Sequence, residues 1–185
     1  MKRLLFTIFF ALLFASCAST GLSKVFVTNT KRVSLLPADA ILESVEEFQF
    51  FSATFGEKSF STPLFLQADS SGIQIVILND FGLELGGLSY DGERAEMDSP
   101  VLPSDVKPEY ILLDLQNAYA DSQKLKTHYE TYKLIFEETQ NEDETVRKIK
   151  NGKDVIEEIT ISKNKTKIVN FLRGYEYSLT EPQGE

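Results

Sequence analysis

Apolar and polar residues alternate along most of the chain after about residue 40, a pattern typical of β-strands that bury one face. Ile73, Ile75 and Ile77 share one face, and similar alternation recurs around residues 132–136, 158–162 and 175–180. Turn signals such as Asp91-Gly92 separate these runs at intervals of about ten residues. The pattern predicts a mainly β (α+β) fold with an antiparallel meander.

Residues 108–119 depart from this alternation. Their apolar side chains recur at helical spacing, and Pro108 suits the first turn of a helix. The sequence therefore predicts one helix here, between five strands before a proline-punctuated loop and four or five strands after it.

The N-terminus has the pattern of a secretory signal. Lys2 and Arg3 precede a nearly apolar run that ends at residue 15. Twelve helical residues span ~18 Å, too short for a hydrocarbon core of roughly 30 Å. The run ends at Cys17 and resembles a bacterial lipobox, with Phe14 where leucine is usual. The resemblance implies that residues 1–16 are removed and Cys17 is lipidated; an ordinary signal that leaves a spare thiol is the alternative.

The remaining chain divides into two predicted parts. Residues 17–40 are mixed in composition and are expected to form the lipidated cysteine and a tether, and residues 41–185 to form one folded domain. A monomer anchored to the membrane through Cys17 is the expected state.

Composition excludes several classes of function. The chain has 19 Lys and Arg against 28 Asp and Glu, a formal charge of -9, which disfavours binding to nucleic acid. One cysteine and one histidine, His128, provide little material for a disulfide framework or a His-based metal site. Adjacent acids such as Glu157 and Glu158 point to opposite faces of a strand. We expect no enzyme, no catalytic residue, no metal and no cofactor, and a loop position for His128.

The width of the predicted sheet suggests a cavity. Nine strands would span on the order of 40 Å, whereas the predicted helix is only ~18 Å long. Such a sheet must curl, either around its own packed side chains or around a ligand. Candidate cavity residues are the alternating apolar positions Phe48, Phe50, Leu64, Leu66, Ile75, Ile77, Leu83, Leu85, Leu112, Leu115, Leu134, Phe136, Ile159, Ile161, Tyr175 and Tyr177.

Three segments in order resemble the DUF3261 family of bacterial lipoproteins. They are Leu88-Ser89-Tyr90-Asp91-Gly92, residues 111–116 (ILLDLQ) and residues 174–179 (GYEYSL). The resemblance spans roughly residues 45–180. It implies a fold similar to the carriers LolA and LolB, which is an incomplete antiparallel β-barrel with a lid helix, here around 108–119. It also implies a role with lipids, and aryl polyene-type lipids are one suggested cargo because some members are encoded with those pathways.

One loop residue is carried over from the LolB-type pattern. In those proteins an exposed leucine before a glycine contacts the membrane, and Phe81-Gly82 stands at the matching position. An alternative is that Phe81 folds back over the barrel mouth.

Two functions are expected from these observations. The first is an outer-membrane lipid-anchored protein at the periplasmic face that binds or transfers lipid or lipoprotein acyl chains, which it receives from a periplasmic carrier protein. The alternative is a structural or protein-interaction lipoprotein with a filled barrel and no ligand.

Overall fold

The computed structural model describes residues 23–42, 44–100, 102 and 106–182. The predicted signal peptide and Cys17 lie outside these residues. Lipidation and membrane anchoring therefore stay predictions.

The described residues contain twelve strands and two α-helices. The strands are β1 (Lys24–Phe26), β2 (Arg32–Ser34), β3 (Val45–Phe55), β4 (Lys58–Asp69), β5 (Gly72–Leu78), β6 (Glu84–Tyr90), β7 (Ala95–Asp98), β8 (Ile135–Gln140), β9 (Glu144–Asn151), β10 (Asp154–Ser162), β11 (Lys165–Asn170) and β12 (Tyr175–Thr180). The helices are α1 (Pro108–Tyr119) and α2 (Ser122–Thr131), and a short 3-10 helix covers Ala38–Ala40. Neither α-helix in this part of the chain is long and apolar enough to cross a membrane.

Strands β3 to β12 form a single antiparallel sheet of ten strands in the order β7-β6-β5-β4-β3-β12-β11-β10-β9-β8. Each half of the chain contributes a five-stranded meander. The pairing of β3 with β12 joins them, from Phe55 opposite Tyr175 to Phe50 opposite Thr180. The predicted mainly β, antiparallel architecture is confirmed.

The sheet curls around helix α1. This helix contacts β7 at one edge and also β10, the eighth strand along the sheet. In a flat sheet those strands would lie about 34 Å apart, which a helix of ~18 Å cannot bridge. The edge strands β7 and β8 do not pair with each other within the described residues, so the curl does not close into a barrel.

Helix α1 has the predicted bounds but not the predicted role as a lid. Every residue from Ile111 to Ala118 is buried, with Leu112 and Leu115 at 0% and 1% exposure. The helix therefore fills the concave side of the sheet. Its burial on all sides is possible because its polar side chains Asp114, Gln116 and Asn117 all have partners inside the protein.

Arg147 of β9 fixes the C-terminal end of α1. Its Nη1 donates to the carbonyl oxygens of Asn117, Ala118 and Ala120 at 2.9, 2.8 and 3.0 Å. These carbonyls have no partner within the helix, and a cation at a helix C-terminus is also favoured by the helix dipole. Glu138 accepts from Arg147 Nε at 2.7 Å and holds the guanidinium in place.

The second helix was not predicted, because its sequence is polar apart from Leu125 and Tyr129. These two residues are buried and lie one turn apart. The Asp121 side chain accepts from the Lys124 backbone N–H at 2.8 Å and begins the helix. The loop position expected for His128 is wrong, since His128 lies on this helix with its ring 5.2 Å from that of Tyr132.

The segment expected to be a tether is folded from residue 23 onward. Strands β1 and β2 form a hairpin, and Val33 and Leu35 are completely buried. Leu36 is held by the Gln116 side chain, which accepts from its N–H at 2.8 Å and donates to its carbonyl at 2.7 Å. This pairing resembles one rung of a β-ladder and attaches the segment to α1, so the folded unit begins well before residue 41.

Candidate ligand cavity

Most of the residues expected to line a cavity are instead tightly packed core. Leu64, Leu66, Ile75, Ile77, Leu112, Leu115, Leu134, Phe136 and Ile159 are buried, and Ile161 is partly buried. None of them lines the cavity of about 540 Å³ that the structure contains beside α1. The register brings several of them together, with Leu64 opposite Ile77 and Leu66 opposite Ile75. Together with α1 they fill most of the concave side.

The expected orientation of β3 is wrong. Phe48 and Phe50 are 58% and 49% exposed. Residues paired across a sheet share a face, and inward-facing Leu64 pairs with Gln49. Gln49, Phe51 and Ala53 therefore face inward, and Phe48 lies on the outer face with its ring 5.1 Å from that of Phe65.

Leu83 and Leu85 are also outside the expected cavity. They are 64% and 37% exposed. Inward-facing Ile77 pairs with Gly86, so the adjacent residue Leu85 takes the outer face, and Leu83 lies in the turn before β6. A β-bulge then follows, where Leu78 pairs with Glu84. Leu85 is left without a partner in the ladder, and the alternation of faces is interrupted there.

This cavity of about 540 Å³ lies at one end of the sheet. It lies between the first turns of α1, the turn that joins β3 and β4, and the start of β12. Phe51, Phe55, Val106, Tyr110 and Ile111 provide its apolar lining. Glu57, Lys58, Asp114, Arg173, Tyr175 and Tyr177 add polar groups, so only Tyr175 and Tyr177 of the expected residues line it.

A buried acid pair lies beside this cavity. The Tyr175 hydroxyl donates to Asp114 Oδ2 at 2.7 Å, and Asn117 Nδ2 donates to Glu157 Oε1 at 3.1 Å. Burial raises the pKa of Asp114 well above its usual range, and the neighbouring Glu157 raises it further. Burial also raises the pKa of Glu157, to about 7. The pair therefore holds at least one proton at neutral pH, because two adjacent buried carboxyls cannot both ionise.

The acid pair does not form part of a metal site. No three Asp, Glu, His or Cys side chains are grouped suitably for a metal ion within residues 23–42, 44–100, 102 and 106–182. Its partners are amide and hydroxyl groups, which makes it a buried hydrogen-bonding cluster.

Arg173 borders the cavity on the solvent side. Its guanidinium lies 4.0 Å from the centre of the Tyr110 ring, and its Nη2 donates to the Phe26 carbonyl. It thereby connects the β11–β12 turn to the β1–β2 hairpin and to α1. Its charge also lowers the pKa of Glu157, opposing the effect of burial.

The end of the sheet that holds the cavity carries exposed apolar turns. Antiparallel pairing places the β3–β4, β5–β6, β9–β10 and β11–β12 turns at this end, and two of them, β5–β6 and β11–β12, expose apolar side chains. Phe81, Leu83, Phe171 and Leu172, here termed the apolar rim, are 89%, 64%, 56% and 39% exposed. The turns at the opposite end contain only polar residues and glycine, in residues 70–71, 91–94, 141–143 and 163–164.

The exposure of Phe81 excludes the alternative that it folds back over the sheet. Two hydrogen bonds to one side chain fix the turn, because Asn79 Oδ1 accepts from the N–H groups of Phe81 and Leu83, both at 2.9 Å. Gly82 has a φ of +76°, which glycine adopts without strain. The aromatic ring is therefore presented to solvent by an ordered turn.

The sequence contained signals for both residues of the acid pair, which the pattern analysis missed. Asp114 interrupts an apolar helical stretch, where a charged residue is unusual unless it has a buried partner. Glu157 has the same alternation phase as Ile159 and Ile161, so it faces inward while Glu158 pairs with Lys148 outside. That the two acids meet could not be inferred, because they are on different elements.

A family model described as "Protein of unknown function (DUF3261)" matches residues 46–182. The chain belongs to this family. No curated protein matches it. The matched range begins within β3 and ends just after β12, so it contains nearly the whole ten-stranded sheet, both α-helices and the cavity. The β1–β2 hairpin lies outside the range.

The acid pair predicts a dependence of stability on pH. Because the folded-state pKa of Glu157 is raised, the folded state binds more protons, and its stability falls as the pH rises from about 4.5 to about 7. We expect Glu157→Gln to reduce the loss of unfolding free energy between pH 5 and pH 8 by about 1–3 kcal/mol. Urea unfolding of both proteins at pH 5 and pH 8 measures this change in unfolding free energy.

The control for that prediction is Glu158→Gln, the adjacent acid on the outer face. It removes the same charge from an ion pair with Lys148. An equal effect of both substitutions on the pH dependence would show that overall charge, and not the buried pair, is responsible.

Proposed function

We propose that this protein binds the apolar chain of a lipid or lipoprotein in the cavity beside α1 and transfers it to or from a membrane. The observation that carries the proposal is the position of the apolar-lined cavity at the same end of the sheet as the apolar rim. The cavity volume of about 540 Å³ lies within the range of roughly 300–1,000 Å³ usual for ligand pockets.

The apolar rim gives the acyl chain of the ligand a short route between a membrane and the cavity. Leu172 lies next to Arg173, which borders the cavity. A bilayer in contact with the apolar rim would therefore be close to the opening. An acyl chain could then move without crossing a wide layer of water. Exposing its apolar surface to water costs roughly 25 cal/mol per Å², so a short path lowers the free-energy barrier to transfer.

The proposed anchoring follows from the sequence. Lipidated Cys17 would attach the protein to the outer membrane at its periplasmic face, and a periplasmic carrier protein would deliver the chain. The curled, unclosed sheet around a helix is consistent with an incomplete barrel similar to LolA and LolB. Aryl polyene-type lipids are one cargo that the family context suggests.

The exchange proposed here does not require α1 to move. That helix is buried throughout and held at its end by Arg147. Access instead involves the exposed β3–β4 and β11–β12 turns, where Gly56 and Gly174 have open space around them. We assign no catalytic residue.

A structural or protein-interaction lipoprotein is the second candidate. It is favoured by the packing of most of the concave side, where nine of the expected cavity residues are core. This candidate requires no ligand, so a binding measurement separates the two.

Binding is tested with a fluorescent fatty acid and the chain from residue 18 onward, which contains every described strand and helix. We expect saturable binding, and we expect Val106→Trp to weaken it at least about tenfold, because the larger ring occupies the cavity. Val169→Trp is the matched control. Val169 is a partly buried residue of β11 that does not line the cavity.

Absence of saturable binding in the unsubstituted protein would contradict the carrier function and favour the structural one. An equal loss of affinity for the fatty acid in both tryptophan variants would place the binding site outside the cavity.

Membrane contact is tested by flotation of the same non-lipidated protein with liposomes. We expect Phe81→Asp to reduce the bound fraction without affecting folding, because the side chain is 89% exposed. Ser70→Asp, at the opposite end of the sheet, adds the same charge and should leave flotation unchanged. Equal flotation of the unsubstituted protein and Phe81→Asp would exclude this contact.

A further inference from the structure

One wall of the cavity carries a buried hydroxyl without a partner. Tyr177 is only 3% exposed and lines the cavity. Its hydroxyl oxygen has no hydrogen-bond partner among the described residues. A buried polar group in this state is unfavourable, and natural proteins usually satisfy such groups with another polar group or a water molecule.

Two further polar groups lie on the same wall. Asp114 is 1% exposed and lines the cavity with Tyr175, whose hydroxyl donates to Asp114 Oδ2 at 2.7 Å. The Tyr177 hydroxyl is near enough to lower the pKa of the Asp114 carboxyl, yet its geometry falls short of a hydrogen bond. The apolar cavity therefore has one polar wall, formed by Asp114, Tyr175 and Tyr177.

We propose that this wall binds a neutral hydroxyl group carried by an otherwise apolar ligand, with Tyr177 and Asp114 as its hydrogen-bonding partners. The inference rests on the proposed function and specifies its ligand class. A hydroxyl donates one hydrogen bond and also accepts through its lone pairs, which suits a phenol oxygen and a carboxyl that lie side by side. The apolar remainder of the ligand then contacts Phe51, Phe55 and Ile111.

Charged groups fit this wall less well. A carboxylate or phosphate would lie against Asp114, the buried acid of this wall. An ammonium group would have to be desolvated and would share the region with Arg173, whose charge already acts on Glu157. The neutral hydroxyl avoids both costs.

The test uses three pyrene-labelled alkyl probes of equal length that end in a methyl, a hydroxyl or an amine. The protein is the chain from residue 18 onward, and pyrene fluorescence reports binding. We expect the hydroxyl probe to bind about three- to tenfold more tightly than the methyl probe, as one or two net hydrogen bonds allow. Tyr177→Phe should remove this preference, so that the hydroxyl and methyl probes bind with affinities within about twofold of each other.

The substitution is suited to the test because phenylalanine fills the same space and removes a hydroxyl that has no protein partner. The matched control is Tyr90→Phe. This variant loses a buried hydroxyl that lies 2.9 Å from the Leu36 carbonyl, away from the cavity. It should lower stability while keeping the preference for the hydroxyl probe.

The outcomes separate this inference from the carrier function. If no probe binds, the carrier function fails and the hydroxyl site fails with it. If the methyl and hydroxyl probes bind equally, or the amine probe binds most tightly, the cavity binds chains but the hydroxyl site is excluded. A preference that persists in Tyr177→Phe also excludes the assigned residue.

Discussion

The pairing of β3 with β12 is the constraint on which the rest of the structure depends. These are the first and last strands of the ten-stranded sheet in chain order, and they lie side by side at its centre. Their pairing therefore makes one sheet from two meanders. The chain between the meanders must then pass from one edge strand, β7, to the other, β8. Helix α1 lies on that path, and the sheet curls around it. The cavity remains where the helix begins and the inner side chains no longer fill the curl.

Burial of α1 explains why its polar residues are so closely partnered. Gln116 attaches the N-terminal segment, Asn117 binds Glu157, and Asp114 accepts from Tyr175. A buried polar group without a partner costs more than a formed hydrogen bond contributes. These contacts therefore fix the rotation of the helix, and this rotation brings Asp114 to the cavity wall beside Tyr177.

Local pattern was enough to predict the antiparallel strands and the bounds of α1, because alternation and Pro108 are local signals. It could not decide the orientation of β3, where Phe48, Phe50 and Phe51 place aromatic rings on both faces. Only pairing with β4 determines which of them is buried. The folded role of residues 23–41 and the meeting of Asp114 with Glu157 depend on contacts between distant segments, which alternation does not report. The polar helix α2 carries too few apolar residues to reveal its period.

The most direct test of a ligand cavity beside α1 is methyl NMR of the isoleucine side chains during titration with a single-chain fatty alcohol. Ile111 lines the cavity, whereas Ile149 is completely buried elsewhere in the core. The structure predicts a saturable change in the Ile111 signal while the Ile149 signal stays in place. An unchanged Ile111 signal at saturating alcohol, or equal shifts at both positions, would contradict the existence of a specific chain-binding cavity.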